Sequence, residues 1–192
     1  MLRDVGRILI DRERVARRVE QLGRTIAEDL RADLERHGHL DENGDATDKV
    51  VIIPILTGAM VFVADLIRHM PLKMSIEVVA VSSYPGKSMA SKGVSLRGEI
   101  PRTLGGKHVL VIDDILDSGQ TLLTIRNLVL EQAPASCRLC ALLEKTGKKV
   151  VDVAADYVGF EIPDEFVVGY GLDYDGYYRN LPDVGVLRPE AV

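Results

Sequence analysis

The chain has no tryptophan, only two cysteines and few aromatic residues, which make up 5% of its 192 positions. No apolar run reaches the roughly 18 residues that a membrane-spanning helix needs, and Asp65 interrupts the best candidate. The start of the chain, Met1–Arg7, has mixed charge and lacks the apolar segment of a signal peptide. We therefore expect a cytoplasmic protein with no membrane partner.

The two cysteines, Cys137 and Cys140, suggest a redox or zinc motif at first sight. They fall in Arg138–Leu143 and its edge, a segment typical of a buried strand, where a spacing of three places the two thiols on opposite faces. There is no further cysteine to complete a zinc site, and the four histidines show no ligand spacing. We interpret both cysteines as structural thiols.

The balance of charge is negative, with 29 acidic and 24 basic residues and a net charge of −5. A general nucleic-acid-binding surface needs clustered lysine and arginine, so we expect no nucleic-acid partner. Apolar residues at 46% and charged residues at 28% are typical of a globular protein, and the length suits one domain with one sizeable core.

Apolar periodicity predicts an alternation of strands and helices. A helix is expected over residues 12–37, with one apolar stripe, an N-cap at Asp11 and a stop at Gly38. Helices are also expected after the first and third of four predicted strands, which are Val50–Ile55, Ile76–Val81, Val109–Ile112 and Arg138–Leu143. This order indicates an α/β fold with a doubly wound parallel sheet, whose ligands bind beyond the carboxyl ends of the strands.

Two stretches depart from this alternation. Residues 82–104 contain three glycines and few large apolar residues, so we favour a mobile lid, with an internal hairpin as the alternative. Residues 154–174 are rich in aromatic and turn residues. They are compatible with a small β subdomain that packs its aromatic residues internally, or with a surface on which a base stacks.

The stretch from Val109 to Leu122 organises the rest of the chain. An apolar strand is expected to stop at Asp113 and Asp114, and a turn through Ser118 and Gly119 then leads into a helix. Free N–H groups at a helix start bind phosphate, and the acid pair needs hydroxyls or a cation such as Mg²⁺. A phosphorylated sugar suits both the helix start, which binds its phosphate, and the acid pair, which binds its hydroxyls. The plainer alternative is a strand–turn–helix unit whose two acids are simply solvated. Thr57-Gly58 offers a second anion site of the same strand–turn–helix kind.

This stretch resembles the phosphoribosyl-pyrophosphate signature of the type I phosphoribosyltransferases at every defining position: an apolar strand, two acids, two apolar residues, Asp117, Ser118, Gly119, any residue and Thr121. The segment 156–174 narrows the resemblance to the hypoxanthine–guanine phosphoribosyltransferases, and the likeness runs from about Val50 almost to the end. It implies the type I phosphoribosyltransferase fold, with a central parallel sheet, helices on both faces, a flexible lid loop and a small C-terminal hood. We expect one domain over residues 1–192, with a core at about 10–150, a lid at about 82–104 and a hood at about 151–192 joined by the N-terminus.

The resemblance also implies roles for the motif residues. Asp113 and Asp114 would bind the ribose hydroxyls directly or through Mg²⁺, and Asp117 would accept the N7 proton of a purine as the general base. The segment from Asp117 to Thr121 would cradle the 5′-phosphate. The implied ribose and 5′-phosphate site therefore comprises Asp113, Asp114, Asp117, Ser118, Gly119, Gln120 and Thr121.

Residues outside the motif would bind the base and the pyrophosphate. Lys145 would donate to the purine 6-oxo group, Phe166 would stack on the base, and the Val167 backbone would contact its edge, with Asp173 nearby as a ligand of a second Mg²⁺. As plainer alternatives, Lys145 could be a surface charge, Phe166 a core residue and Asp173 a turn residue. The implied pyrophosphate contacts are Leu56, Thr57, Gly58 and Arg179, with the Leu56–Thr57 peptide often cis in the family; the lid pair is Ser83 and Tyr84, and the implied metal ligands are Asp113, Asp114 and Asp173.

The implied reaction is purine salvage: the Mg²⁺-dependent transfer of the 5-phosphoribosyl group from phosphoribosyl pyrophosphate to N9 of hypoxanthine, and of guanine, giving IMP or GMP. Two positions depart from the family, because Thr57 and Gln120 occur where lysine is common. Enzymes specific for adenine, xanthine or a pyrimidine, and an RNA-binding regulator on the same fold, are the alternative functions. The family further implies a homodimer or homotetramer.

Overall fold

The computed structural model describes residues 3–82, 95–97, 100 and 103–191. In chain order, the strands and helices are β1 (Val5–Ile10), α1 (Arg12–Arg36), β2 (Val50–Leu56), α2 (Met60–Leu66), β3 (Ser75–Ile76), β4 (Val79–Ser82), β5 (Ser95–Arg97), β6 (His108–Leu116), α3 (Gln120–Leu130), β7 (Ser136–Lys145), β8 (Tyr157–Ile162), β9 (Val167–Val168) and β10 (Val184–Leu187). Short 3₁₀ turns follow α2 at Ile67–His69 and β10 at Pro189–Ala191. None of the helices described is both long and apolar enough to cross a membrane.

A seven-stranded sheet forms the centre, in the order β5-β4-β2-β6-β7-β8, with β3 also paired to β2. Its pairs are parallel except for β4 with β5, which is antiparallel. Alternate residues of β2 enter two separate cores: Val50 and Ile52 pack with α1 and α2, whereas Val51 and Ile53 pack with α3. The predicted parallel sheet with helices on both faces is confirmed.

Helix α1 begins and ends where its sequence predicts. The Asp11 side chain accepts a hydrogen bond from the Arg14 N–H at 2.8 Å, and Gly38 follows the helix with a φ of +66°. Its buried stripe is Val15, Val19, Leu22, Ile26, Leu30 and Leu34. The two cysteines also lie as predicted: Cys140 is buried in the core that contains α1, and Cys137 packs against the core on the opposite face.

Two predicted strand boundaries are wrong. The expected strand Ile76–Val81 is split into β3 and β4, and the break lies opposite Pro54, which has no N–H for the ladder. The expected stop at the acid pair is also absent, since β6 continues through Asp113 and Asp114 to Leu116. It continues because β7 reaches Lys145 and supplies pairing partners along this whole length.

A second sheet of three strands, in the order β1-β10-β9, joins the two ends of the chain. Strand β8 lies within the range expected for the hood but pairs with β7 in the central sheet, so the hood sheet begins only at Val167. Residues 95–97 pair with β4 as a short antiparallel strand, so the partner is a strand that ends where the stretch 82–104 begins and not a second strand within it, as an internal hairpin would need. The predicted lid pair, Ser83 and Tyr84, lies outside the described residues, and the lid stays a prediction.

Candidate active site

A cavity of about 290 Å³ opens where strands β2 and β6 end and helix α3 begins. Side chains of the predicted sugar-phosphate motif supply most of its polar lining, which includes Asp113, Asp114, Asp117, Ser118 and Thr121. Gln120, the remaining side chain of that motif, is exposed. The geometry of a parallel sheet explains the place of the cavity, because the carboxyl ends of neighbouring strands meet at one edge.

Two neighbouring carboxylates dominate the charge of this cavity. Asp113 is 7% exposed, and burial together with the charge of Asp114 raises its pKa well above the usual value. The pKa of Asp114 is also raised, chiefly by burial. Two neighbouring carboxylates, one buried and one partly buried, that resist ionisation suit a divalent cation or sugar hydroxyls, which stabilise the charged forms.

The acid pair provides only part of a coordination shell. Within the described ranges, no group of three acidic, histidine or cysteine side chains lies close enough to hold a metal by itself. Asp113 and Asp114 therefore fit a Mg²⁺ ion whose other ligands are oxygens of a substrate and water, which is the usual arrangement for Mg²⁺ on phosphates.

The turn after β6 has the geometry of a phosphate site. Gly119 caps α3 with a φ of +84°, and the first N–H groups of this helix have no partner within the helix. A Cβ atom on Gly119 would lie 2.5 Å from Val153 Cγ1, so packing as well as backbone conformation requires glycine. Ser118 is fixed from the other side, since its carbonyl accepts a hydrogen bond from the Val150 N–H.

Three segments of the chain meet at Gly58. A Cβ atom there would lie 1.9 Å from Asp114 Oδ2, and a Cβ on Gly171 would lie 2.3 Å from the Gly58 carbonyl. Leu56 and Gly58 line the cavity, Thr57 is exposed, and the Leu56–Thr57 peptide is cis, as the family resemblance implies. Gly171 was not a candidate, because only its contact with a residue distant in sequence identifies it.

Arg179 and Asp173, the hood residues expected near the pyrophosphate, are linked to Gly171 by hydrogen bonding and an ion pair. Arg179 donates a hydrogen bond to the Gly171 carbonyl at 2.6 Å and pairs with Asp173 at 2.7 Å. Asp173 also accepts a hydrogen bond from the Gly176 N–H, so it has the turn role as well as the ion pair. The positive charge of Arg179 reaches Asp114 and partly offsets the rise in its pKa.

The candidates for base recognition lie at the ends of β7 and β8. Lys145 is only 7% exposed, so its interpretation as a surface charge is wrong. Its Nζ lies 3.1 Å from Asp164 Oδ1 and 3.9 Å from Asp117 Oδ2. The Oδ1 atom of Asp117 is buried, lies 3.7 Å from Lys148 Nζ and has no hydrogen-bond partner among the described residues, so its capacity to accept a proton is unused.

Phe166 and Val167 lie at the start of the hood sheet. Phe166 is 46% exposed and contacts Tyr174 edge-on, with ring centroids 5.3 Å apart, so it is not a core residue. Val167 is buried and pairs with Val186 across β9 and β10. An exposed aromatic ring beside a fixed backbone segment is suited to stacking on a planar ligand.

Sequence reasoning missed two charged residues, Lys148 and Asp164, which bind each other at 2.8 Å and lie beside Lys145. A signal for them exists in the sequence, since charged residues follow each of three neighbouring strands.

Comparison with known proteins places these features in one family. The model of the phosphoribosyl transferase domain matches residues 19–175. The hypoxanthine-guanine phosphoribosyltransferase of Streptococcus pneumoniae is 34% identical over 188 residues, 98% of this chain and 96% of that protein. The corresponding Bacillus subtilis protein is 35% identical over 189 residues, 98% of this chain and 97% of that protein.

Solved structures give the same result. A variant of the hypoxanthine phosphoribosyltransferase from Trypanosoma cruzi, in a ternary substrates complex, superposes with a TM-score of 0.86 at 34% identity and 98% coverage of both chains. The hypoxanthine phosphoribosyltransferase of Staphylococcus aureus superposes with a TM-score of 0.84 at 35% identity, with 99% of this chain and 95% of that chain covered.

Proposed function

The chain belongs to the hypoxanthine-guanine phosphoribosyltransferases of the phosphoribosyl transferase domain family, and from that membership we propose the reaction at its site. It transfers the 5-phosphoribosyl group of phosphoribosyl pyrophosphate to N9 of hypoxanthine or guanine, giving IMP or GMP and pyrophosphate. One observation carries the assignment of the base: a buried ammonium group, Lys145, lies next to the carboxylate of Asp117, whose Oδ1 has no hydrogen-bond partner in the described structure.

The activated sugar binds along the turn after β6. The N–H groups at the start of α3 and the hydroxyls of Ser118 and Thr121 bind the 5′-phosphate, with Gly119 and Gln120 completing the turn. Asp113 and Asp114 accept hydrogen bonds from the ribose hydroxyls. This arrangement fixes the sugar ring with its C1 atom towards the space between the turn and the hood.

The pyrophosphate lies between the β2 loop and the hood. Arg179 and the backbone of residues 56–58 bind its oxygens, because Gly171, whose carbonyl accepts a hydrogen bond from Arg179, lies against Gly58. Asp113 and Asp114 would hold one Mg²⁺ and Asp173 a second, and the chemistry supplied by the bound ions is neutralisation of the charge on the leaving pyrophosphate. Thr57 adds no charge here, so we expect a higher KM for the activated sugar than in relatives with lysine.

The purine binds between the ends of β7 and β9. Lys145 donates a hydrogen bond to its 6-oxo group, a bond that the amino group of adenine cannot accept. Phe166 stacks on the ring and the Val167 backbone contacts its edge. As the bond from C1 to pyrophosphate breaks and the bond from N9 to C1 forms, Asp117 takes the N7 proton.

Three features of the family complete the proposal. The lid pair Ser83 and Tyr84 closes over the reaction centre and excludes water that would hydrolyse the activated sugar. The chain assembles as a homodimer or homotetramer, and it acts in the cytoplasm.

A spectrophotometric assay with phosphoribosyl pyrophosphate and Mg²⁺ tests the proposed reaction. Hypoxanthine, guanine, xanthine and adenine are offered separately, and removal of Mg²⁺ by a chelator is the control. We expect turnover of hypoxanthine or guanine, none of adenine, and loss of turnover without Mg²⁺. Folded protein that converts no 6-oxopurine would contradict the proposal and favour the RNA-binding alternative, which the net charge of −5 does not support.

A further inference from the structure

Four side chains of alternating charge form a closed ring beside the proposed base site, in the order Lys145, Asp164, Lys148 and Asp117. The Nζ atoms of Lys145 and Lys148 lie 3.1 Å and 2.8 Å from the same atom, Asp164 Oδ1. Both lysines are farther from Asp117, at 3.9 Å from its Oδ2 and 3.7 Å from its Oδ1. Asp164 is therefore hydrogen-bonded to both ammonium groups, whereas Asp117 has only looser ion-pair contacts.

The central sheet brings the ring together. Asp117 follows the last residue of β6, Lys145 is the last residue of β7, and Asp164 comes two residues after β8. These three strands are neighbours, so their carboxyl ends meet at the same edge. Hydrogen bonds from the Thr146 N–H and hydroxyl to the Ile162 carbonyl hold the β7 and β8 ends in this register.

Burial makes the partner of Lys145 important. Its side chain is 8% exposed, and a buried ammonium group is costly unless it is hydrogen-bonded to an opposite charge. In the part of the chain that is described, Asp164 supplies the one carboxylate oxygen within hydrogen-bond distance of Lys145. Hydrogen bonds from Lys148 and Lys145 also hold the pKa of Asp164 below its usual value, so Asp164 is charged at neutral pH.

We propose that Asp164 is a positioning residue for the reaction: by binding both ammonium groups it keeps them from hydrogen-bonding to Asp117, so that Oδ1 of Asp117 is not hydrogen-bonded to a lysine and can accept the N7 proton of the purine. The proposal rests on the proposed function. A lysine hydrogen-bonded directly to Asp117 would occupy the carboxylate oxygen that takes the N7 proton of the purine. If Lys145 moved towards Asp117, it would also no longer reach the 6-oxo group of the purine. Lys148 is the lysine that would otherwise bind Oδ1 of Asp117, and its hydrogen bond to Asp164 holds it away.

Steady-state kinetics of Asp164→Asn with hypoxanthine test this role. The amide removes the negative charge, so both lysines turn to Asp117, and we expect kcat to fall about tenfold to a hundredfold with a higher KM for the base. The KM for phosphoribosyl pyrophosphate stays unchanged, and Asp164→Glu restores most of kcat because it keeps the charge. Glu165→Gln is the matched control, since Glu165 pairs with Arg7 and not with the ring.

A double variant separates restraint of the lysines from a merely structural role. Adding Lys148→Met to Asp164→Asn removes one of the two cations that would bind Asp117, so we expect a higher kcat than for Asp164→Asn alone. Lys149→Met is the control on the same loop, because Lys149 pairs with Glu144 at 2.6 Å. If Asp164 had a merely structural role, the losses of kcat from the two substitutions would add, and Lys149→Met would have the same effect on kcat as Lys148→Met.

The outcomes distinguish this inference from the proposed function. An active wild type whose Asp164→Asn variant has unchanged kcat and KM overturns the inference and leaves the function standing. A double variant no faster than Asp164→Asn overturns it too. A wild type inactive on every purine overturns both. Circular dichroism checks folding, and Asp164→Ser, with the same expected loss, replaces an Asp164→Asn variant that does not fold.

Discussion

Phe166 has an unusual environment for a large apolar side chain. It is 46% exposed, and its ring is nearly perpendicular to that of Tyr174, so much of its apolar surface faces solvent. Burial does not explain this arrangement, whereas stacking on a purine does. The neighbouring Val167 is buried in β9, so the backbone that presents Phe166 is fixed by the hood sheet.

We expect Phe166→Ala to weaken binding of the purine by about 1–3 kcal/mol, the usual loss when a stacking ring is removed. The KM for hypoxanthine rises accordingly, while the melting temperature stays close to that of the wild type because the ring is largely exposed. Tyr177→Ala is the control, since Tyr177 is a more exposed aromatic residue of the same region. An unchanged KM for hypoxanthine would rule out stacking on Phe166.

Single residues show which parts of the site the sequence can reveal. The motif residues from Asp113 to Thr121 could be picked out because they are contiguous, and a strand–turn–helix unit brings all of them except Gln120 to one cavity. The role of Gly171 could not be predicted, and for Lys148 and Asp164 the sequence shows only that charged residues follow the strands, because the partners of all three lie in other parts of the chain. The identity of a distant partner is settled by the order of strands in the sheet, which local patterns do not contain.

At the scale of elements, the site is an assembly of loops held by close backbone approaches. The β2 loop, the β6 carboxylates and the hood meet at Gly58, which has room for no side chain on the side of Asp114. The ends of α1 and β2 lie where the apolar pattern and capping residues predict them, whereas the ends of β3, β4 and β6 do not. Their ends depend on neighbouring strands: Pro54 interrupts one ladder, and the length of β7 extends the other.

Gly58→Ala should disable the site while leaving the fold intact. Its Cβ would lie 1.9 Å from Asp114 Oδ2, so the carboxylate must move away from the ribose and metal position. We expect a large fall in kcat/KM for phosphoribosyl pyrophosphate, measured at saturating base.

Gly44→Ala is a control with the opposite expected result: it should lower stability and leave activity unchanged. Gly44 has a φ of +77° and no atom near its Cβ position, so alanine costs about 1 kcal/mol of stability through backbone strain. Its free energy of unfolding should fall with activity unchanged. Normal kcat/KM in Gly58→Ala would show that Asp114 is not held in place by this contact.

At the scale of the whole molecule, a buried histidine lies at the end of the central sheet opposite the proposed site. His108, the first residue of β6, is fully buried there, bonded through Nδ1 to Ser136 Oγ and through Nε2 to His39 Nδ1. Burial, with smaller contributions from His39 and His37, lowers the pKa of His108 to about 4. The molecule therefore folds with this imidazole neutral.

Stability should decline as pH falls because of this histidine. Its folded pKa lies below its unfolded value of about 6.5, so the stabilisation is complete above that value and is lost as the pH drops towards 4. Between pH 7 and pH 5 we expect His108 to contribute a loss of about 2 kcal/mol, measured by urea unfolding as the difference between the wild type and His108→Gln. His108→Gln should lack most of this loss, and His69→Gln, outside the cluster, should keep it. Equal pH dependence in wild type and His108→Gln would contradict the assignment.

The alternation of strands and helices was enough to predict the fold class, the parallel sheet and the edge of the sheet at which the candidate cavity lies. The hood sheet was harder to derive, because β1 and β10 come from opposite ends of the chain and their pairing leaves no local pattern in the sequence.

The most direct test of the account is the turnover number of Asp117→Asn with hypoxanthine. Asparagine keeps the size of the side chain but cannot take the N7 proton, so we predict that kcat falls by about 10²–10⁴-fold. The KM for phosphoribosyl pyrophosphate should change much less, because the turn at Ser118–Thr121 is unaltered. A kcat equal to that of the wild type would contradict the role of Asp117 as the general base and, with it, the proposed chemistry of the site.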